Sequence, residues 1–247
     1  MKTLTVAAAA CLLVLTSLTA ARADDAGKTG FLTLTHKDAD GKEVKYVLFV
    51  PHEYKGDKPY PLILFLHGAG ETADGKNEGK QAKVGIGPAV EKQEKMFPAF
   101  VLMPQAQKRG WQADGEPAQQ ALDILKEVEK NYKIDDKRLY LTGLSMGGAG
   151  TWSLAAKYPD KWAAIVPLCG GPNLKDVEKI KGLPCWVFVG DADRKDLVEK
   201  TRDMVKALKD AGGSPKYDEY PGVGHNCWDK AYGTKELYEW LFMQKKK

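Results

Sequence analysis

Apolar and polar positions along this chain fall into short runs whose period changes repeatedly from two to about 3.6. Residues 31–36 (FLTLTH) and 44–51 (VKYVLFVP) flank KDADGKE, whose Asp40-Gly41 pair predicts a β-hairpin. Residues 61–68 (PLILFLHG) are apolar without a break, as expected of a strand covered on both faces, and 99–104 (AFVLMP) read the same way. A helical pattern runs from about 117 to 132. It is followed by the strand RLYLTG (138–143), a helix after Ser145, and the strands AAIVPLCG (163–170) and PCWVFVG (184–190). A helix near 196–211, the short strand KYDEY (216–220) and a last helix near 229–243 complete the series. Eight strands alternating with helices predict an α/β fold: a mostly parallel eight-stranded sheet with helices on both faces and the hairpin as an antiparallel edge. No repeat, linker or low-complexity segment divides the run, so it predicts one domain over residues 24–247.

The first 23 residues stand apart. A Lys near the start, an apolar run from Val6 to about Leu18, and Ala21 and Ala23 in an Ala-x-Ala pattern read as a secretory signal peptide cleaved after Ala23. The apolar run is short for a membrane anchor. The expected destination is the periplasm or the cell exterior, with no stable membrane anchor. The chain carries 37 Lys and Arg against 33 Asp and Glu, and loss of Lys2 and Arg22 with the leader brings the two closer still. Such a balance argues against a nucleic-acid partner, which selects for a basic stripe. No Cys-x-x-Cys or paired His accompanies the cysteines, so no metal site and no cofactor is expected.

The stretch GLSMG, residues 143–147, places one serine between two glycines where a strand must turn into a helix. A nucleophile on such a tight turn stands free at the end of the sheet. The turn brings backbone segments so close that residues two before and two after the serine must be small, here Gly143 and Gly147. Ser145 also falls at a helix N-terminus, where free N–H groups favour negative charge. A serine hydroxyl needs a base, and the base an orienting acid. For a strand–serine–helix elbow the chain order is Ser, then Asp or Glu, then His. Of the four histidines, His36, His52 and His67 precede Ser145, which leaves His225, in the Gly-rich loop YPGVGHNCW. The acid belongs in GDADRKD, where Asp193 is the candidate, Asp191 the runner-up, and Asp196 reads as a first-turn helix residue. Oxyanion donors are expected from the N–H of Met146 and from the HGAG loop, with Ala69 first and Gly70 second. His67 is then expected to shape that loop.

LILFLHGAGE, LTGLSMGGAGTWSLAAKYPDKWAAIVPLCGG, WVFVGDADR and GVGHNCWDKAY together resemble an α/β-hydrolase. More narrowly, they are similar to the small secreted esterases grouped with polyhydroxybutyrate depolymerases, feruloyl and acetylxylan esterases, and prolyl-oligopeptidase-like hydrolases. The likeness covers nearly all of residues 24–247. It implies a triad at Ser145, Asp193 and His225, although DRKD replaces the family's usual Asp-Pro pattern. The implied activity is hydrolysis of small or polysaccharide-linked carboxylic esters. A peptidase or amidase, and a silent carbohydrate-binding protein on the same fold, are the alternatives. Only residues 171–183 separate two strands where many lipases insert a lid, so an open site is expected. Trp111 and Trp228 are candidates to line an acyl or sugar groove, and Glu71 reads as a solvated loop carboxylate. In the implied fold Cys169 and Cys227 share the active-site edge while Cys185 lies at the opposite one. A disulfide between the first two would brace the His225 loop.

Overall fold

The computed structural model describes residues 27–38, 40–73, 75 and 78–246, so the signal-peptide expectation lies outside the described residues. Eight strands form the sheet: β1 (Gly30–Lys37), β2 (Glu43–Val50), β3 (Tyr60–Leu66), β4 (Phe100–Pro104), β5 (Ile134–Leu144), β6 (Ala164–Leu168), β7 (Trp186–Gly190) and β8 (Lys216–Tyr220). They lie in the order β1-β2-β4-β3-β5-β6-β7-β8. The β1–β2 and β2–β4 pairs are antiparallel and every other neighbouring pair is parallel, so the hairpin forms one edge.

The apolar runs divide their side chains between two cores because successive strand residues point to opposite faces. Leu62, Leu64 and Leu66 of β3 enter one core, and Ile63 and Phe65 enter the other. The first core is covered by α2 (Glu116–Asn131), α3 (Met146–Lys157), α4 (Val177–Ile180) and α5 (Lys195–Asp210). The second is covered by α1 (Ile86–Glu91), α6 (Trp228–Tyr232) and α7 (Lys235–Met243). All seven residues of β3 are buried. Each large aliphatic side chain so buried contributes about 1.5–3 kcal/mol, which makes this strand the rigid base of the loop that follows it.

Two local features depart from the sequence reading. The last helix is two helices, α6 and α7, parted at Gly233 and Thr234, where poor helix propensity meets a residue suited to begin a new helix. Tyr232, at the end of α6, is also drawn inward, its hydroxyl 2.8 Å from that of Thr142. The short helix α1 gave no signal because its IGPAVE stretch carries a Gly and a Pro. The Gly is required, since a Cβ on Gly87 would lie 2.0 Å from the Ala82 carbonyl oxygen.

The strand order sets the place of the site. From β3 the chain crosses to β4 on one side, and the next strand, β5, pairs with β3 on the other side. The connections therefore diverge at the carboxyl ends of β3 and β5, and such a switch point opens a crevice between the departing loops. The HGAG loop follows β3 and Ser145 follows β5.

Candidate active site

Ser145 occupies a backbone conformation that only a tight turn imposes, with φ +54° and ψ −113°. Ser145 and Cys169 have positive φ without being glycine, and no other described residue does. Strain of this kind persists where surrounding contacts fix it. The contacts are visible at both flanking glycines. A Cβ on Gly147 would lie 1.9 Å from the Leu66 carbonyl oxygen, and one on Gly143 would lie 2.4 Å from that of Gly147. The elbow is wedged against β3 with no room for a methyl group.

The serine hydroxyl meets a chain of two further groups. Ser145 Oγ lies 2.8 Å from His225 Nε2, and His225 Nδ1 lies 2.6 Å from Asp193 Oδ2. Because a carboxylate can only accept, Nδ1–H donates to Asp193, which leaves Nε2 free to accept the serine proton. The Asp193 side chain is 3% exposed and that of His225 45%, so the acid is fixed in the protein while the base faces the opening. The other Asp193 oxygen accepts the Arg194 N–H at 2.7 Å. Asp191 does different work: its Oδ1 accepts the Gly222 N–H at 2.7 Å and braces the turn before His225. Asp196 sits in the first turn of α5.

The two N–H groups expected to serve an oxyanion each begin a helical element. Met146 opens α3, so its N–H has no acceptor within the helix. Ala69 opens a short 3-10 turn, Ala69–Glu71, directly after β3. His67 holds this loop from below. The Ala106 N–H donates to His67 Nε2 at 3.0 Å, which makes Nδ1 the protonated nitrogen, and Nδ1–H donates to the Gly68 carbonyl at 2.6 Å. Burial pushes the imidazole down to about 4, from 6.5, against a smaller opposing effect of the Gly68 hydrogen bond. The unfolded chain therefore binds a proton at His67 more readily than the native one. Its contribution to stability is complete above pH 6.5 and is lost as the pH falls toward 4, by about 3 kcal/mol in all. Denaturant midpoints measured between pH 7 and pH 4 should fall more steeply for the native sequence than for His67→Gln.

Trp111 requires a correction. It is 1% exposed and does not line a groove. Its indole N–H donates to the His67 carbonyl at 2.9 Å, and its ring meets the imidazole edge-on at 5.0 Å. A Cβ on Gly150 of α3 would lie 2.2 Å from Trp111 Cβ, so the tryptophan is packed between α3 and the HGAG loop. Nothing in the spacing around QKRGWQADGEP signals this; the partner glycine is distant in sequence. Trp228 is half-buried beside His225, ring to ring at 5.7 Å and nearly perpendicular, and packs against the second core. Glu71 also departs from the sequence reading, being 9% exposed rather than solvated.

Cys169, Cys185 and Cys227 are all buried thiols, so the structure holds no bridge among them. Cys169 and Cys227 do share one core, with Cys185 in the other. A hydrogen bond to Cys227, together with burial, pushes the Cys169 thiol up and keeps it protonated.

Known proteins resemble this chain in sequence and in fold. Residues 43–233 match the dienelactone hydrolase family. Over 162 residues the chain is 30% identical to Probable feruloyl esterase C of Aspergillus flavus, covering 65% of this chain and 58% of that protein. Over 132 residues it is 39% identical to a bifunctional acetylxylan esterase/xylanase of Neocallimastix patriciarum, covering 53% of this chain and 19% of that one. Among solved structures, a thermostable esterase superposes with a TM-score of 0.78 at 36% identity, over 87% of this chain and 63% of that chain. The match thus spans little more than half the length of the feruloyl esterase and less of the bifunctional enzyme. On the extent of the family match, and on the eight-stranded fold that carries it, the chain belongs to the dienelactone hydrolase family of α/β-hydrolases.

Proposed function

We propose that this protein is a serine carboxylesterase that works through an acyl-enzyme. The observation that carries the reading is the continuous Ser145–His225–Asp193 chain, at 2.8 and 2.6 Å, opposite the unpaired N–H of a helix start. In the first half-reaction Ser145 Oγ attacks the ester carbonyl carbon as its proton passes to His225 Nε2. Asp193 holds the ring and stabilises the imidazolium. The N–H groups of Met146 and Ala69 receive the charge that develops on the carbonyl oxygen. The imidazolium then protonates the leaving alcohol oxygen, and water, activated by the same nitrogen, releases the acid.

The expected substrates are small or polysaccharide-linked esters, with hydroxycinnamoyl and acetyl groups foremost. The feruloyl and acetylxylan esterase relatives support this, as does the short 171–183 connection, which holds only a 3-10 turn and the one-turn helix α4. With no lid between β6 and β7, a bulky alcohol can remain outside while the acyl group enters. Trp228 beside His225 offers a ring face to that alcohol. The leader pattern supports export of the domain to where such esters occur. No helix among the described residues is long and apolar enough to cross a membrane.

The test is turnover of p-nitrophenyl acetate, methyl ferulate, acetylated xylan and a peptide p-nitroanilide by the protein from Asp24 onward. Esters are expected to exceed the anilide by at least about 100-fold in kcat/KM, the size of effect that one transition-state interaction supplies. Faster anilide cleavage would replace the esterase reading with an amidase. Binding of xylan without any turnover would replace it with a carbohydrate-binding protein.

A further inference from the structure

At the end of the sheet away from Ser145 the surface is hollowed into a cavity of about 290 Å³, at the small end of the range for ligand sites. It lies at the amino ends of parallel strands. Tyr60 and Pro61 begin β3, Phe97 and Pro98 lead into β4, and Arg138 belongs to the first half of β5, whereas Ser145 follows the carboxyl end of β5. The seven residues of β3 span about 20 Å, so the cavity is separate from the triad and shares no residue with it.

The lining has a definite chemistry. Four of its residues are prolines, which have no N–H to donate. With Tyr60, Phe97 and Met96 they make walls that are rigid and mostly apolar. Met96 is 81% exposed, and its unbranched thioether can mould itself to a flat surface laid against it. Charged donors come from Lys58, Lys95 and Arg138, against one carboxylate, Glu53. Asp135 orients Arg138 by accepting its Nε–H at 2.6 Å, and Lys58 Nζ stands over the Tyr60 ring, 5.4 Å from its centre. A sugar on such walls would leave most of its hydroxyls without partners. A small acid with a flat apolar body suits them, because its body lies on the apolar walls while its carboxylate meets the cations. We propose that this cavity binds a small carboxylate with a flat, unsaturated body, of the aromatic or cinnamic type. Hydrolysis of hydroxycinnamoyl esters releases acids of this class. On the basis of the esterase reading, the site therefore holds the product, about 20 Å from where it forms. The binding itself needs no turnover.

Titration of cinnamate into native protein carrying ¹³C-labelled methionine methyls tests this, with the Met96 signal assigned by its loss in Met96→Leu. The Met96 methyl should shift and saturate. Cinnamyl alcohol, which lacks the charge, and glucuronate, which lacks the flat body, should each need about tenfold more ligand for the same shift, the worth of one hydrogen bond to a charged group. Replacing both exposed lysines, Lys58→Gln with Lys95→Gln, should weaken cinnamate by about tenfold, as loss of two surface ion pairs would, and added salt should weaken it as well. The same double variant should keep the native kcat/KM on methyl ferulate. A Met96 signal that stays in place would overturn the inference. So would alcohol binding as tight as cinnamate, which would mean a bare apolar surface, or glucuronate binding as tight, which would mean a site for acidic saccharides. Ester turnover with no Met96 shift would leave the esterase standing without this site. A saturable shift that the double variant weakens, in a protein that turns over no ester, would leave the site standing without the esterase.

Discussion

Replacing Ser145 with alanine is expected to lower ester turnover by roughly 10⁴–10⁶-fold, the range seen when a member of a serine–histidine pair is removed. The fold should be undisturbed. Ser145 is held by its backbone, whose N–H donates to the Leu168 carbonyl at 2.9 Å, and an alanine keeps that bond. Alanine also accepts the strained turn no worse than serine does. The loss should therefore fall on kcat, with substrate binding and melting temperature little changed. Assays of purified Ser145→Ala against the native protein on p-nitrophenyl acetate, alongside thermal melts, check this. A residual rate within tenfold of native would mean that the chemistry lies elsewhere.

Gly147→Ala is expected to act on the fold instead. The added methyl would enter the space 1.9 Å from the Leu66 carbonyl oxygen and 2.5 Å from its carbon, with the His67 carbonyl at 2.8 Å. All of these atoms are backbone, at the end of a fully buried strand, so no side chain can swing aside. Either α3 lifts from β3 or the loop carrying Ala69 is pushed out. Overpacking of this sort costs about 3 kcal/mol or more. In a chain of this size that corresponds to a melting temperature lower by roughly 10 °C. The same displacement would separate the two oxyanion donors, so activity should fall even in the fraction that stays folded. A melt within about 2 °C of native would show that the elbow has slack that the structure denies it.

The contrast between these substitutions shows what was legible in the sequence. GLSMG carries its geometry in its own spelling: two glycines at fixed distance from a serine have a steric meaning that needs no knowledge of their neighbours. Elimination by chain order reached His225 because three of four histidines precede the serine. Asp193 was separable from Asp191 only by loop length, and the structure gives them different tasks, one on the imidazole and one on the Gly222 N–H. Strand periodicity was readable because β3 and β4 are apolar on both faces. The rest was written in contacts between distant segments. Trp111 reads as a surface candidate until Gly150 is known to pack against it, and Glu71 reads as solvated until its carboxylate is seen beside Gly68. In the helix α1, local propensity opposes the fold, and tertiary packing of Ile86 and Val90 decides the outcome.

The central claim is that Ser145 is an activated nucleophile, and a fluorophosphonate probe followed by peptide mass spectrometry tests it most directly. The predicted result is one adduct per chain, on the peptide containing Ser145, formed within minutes near neutral pH and absent from the Ser145→Ala protein. No adduct, or an adduct on another residue that persists in the alanine variant, would contradict it.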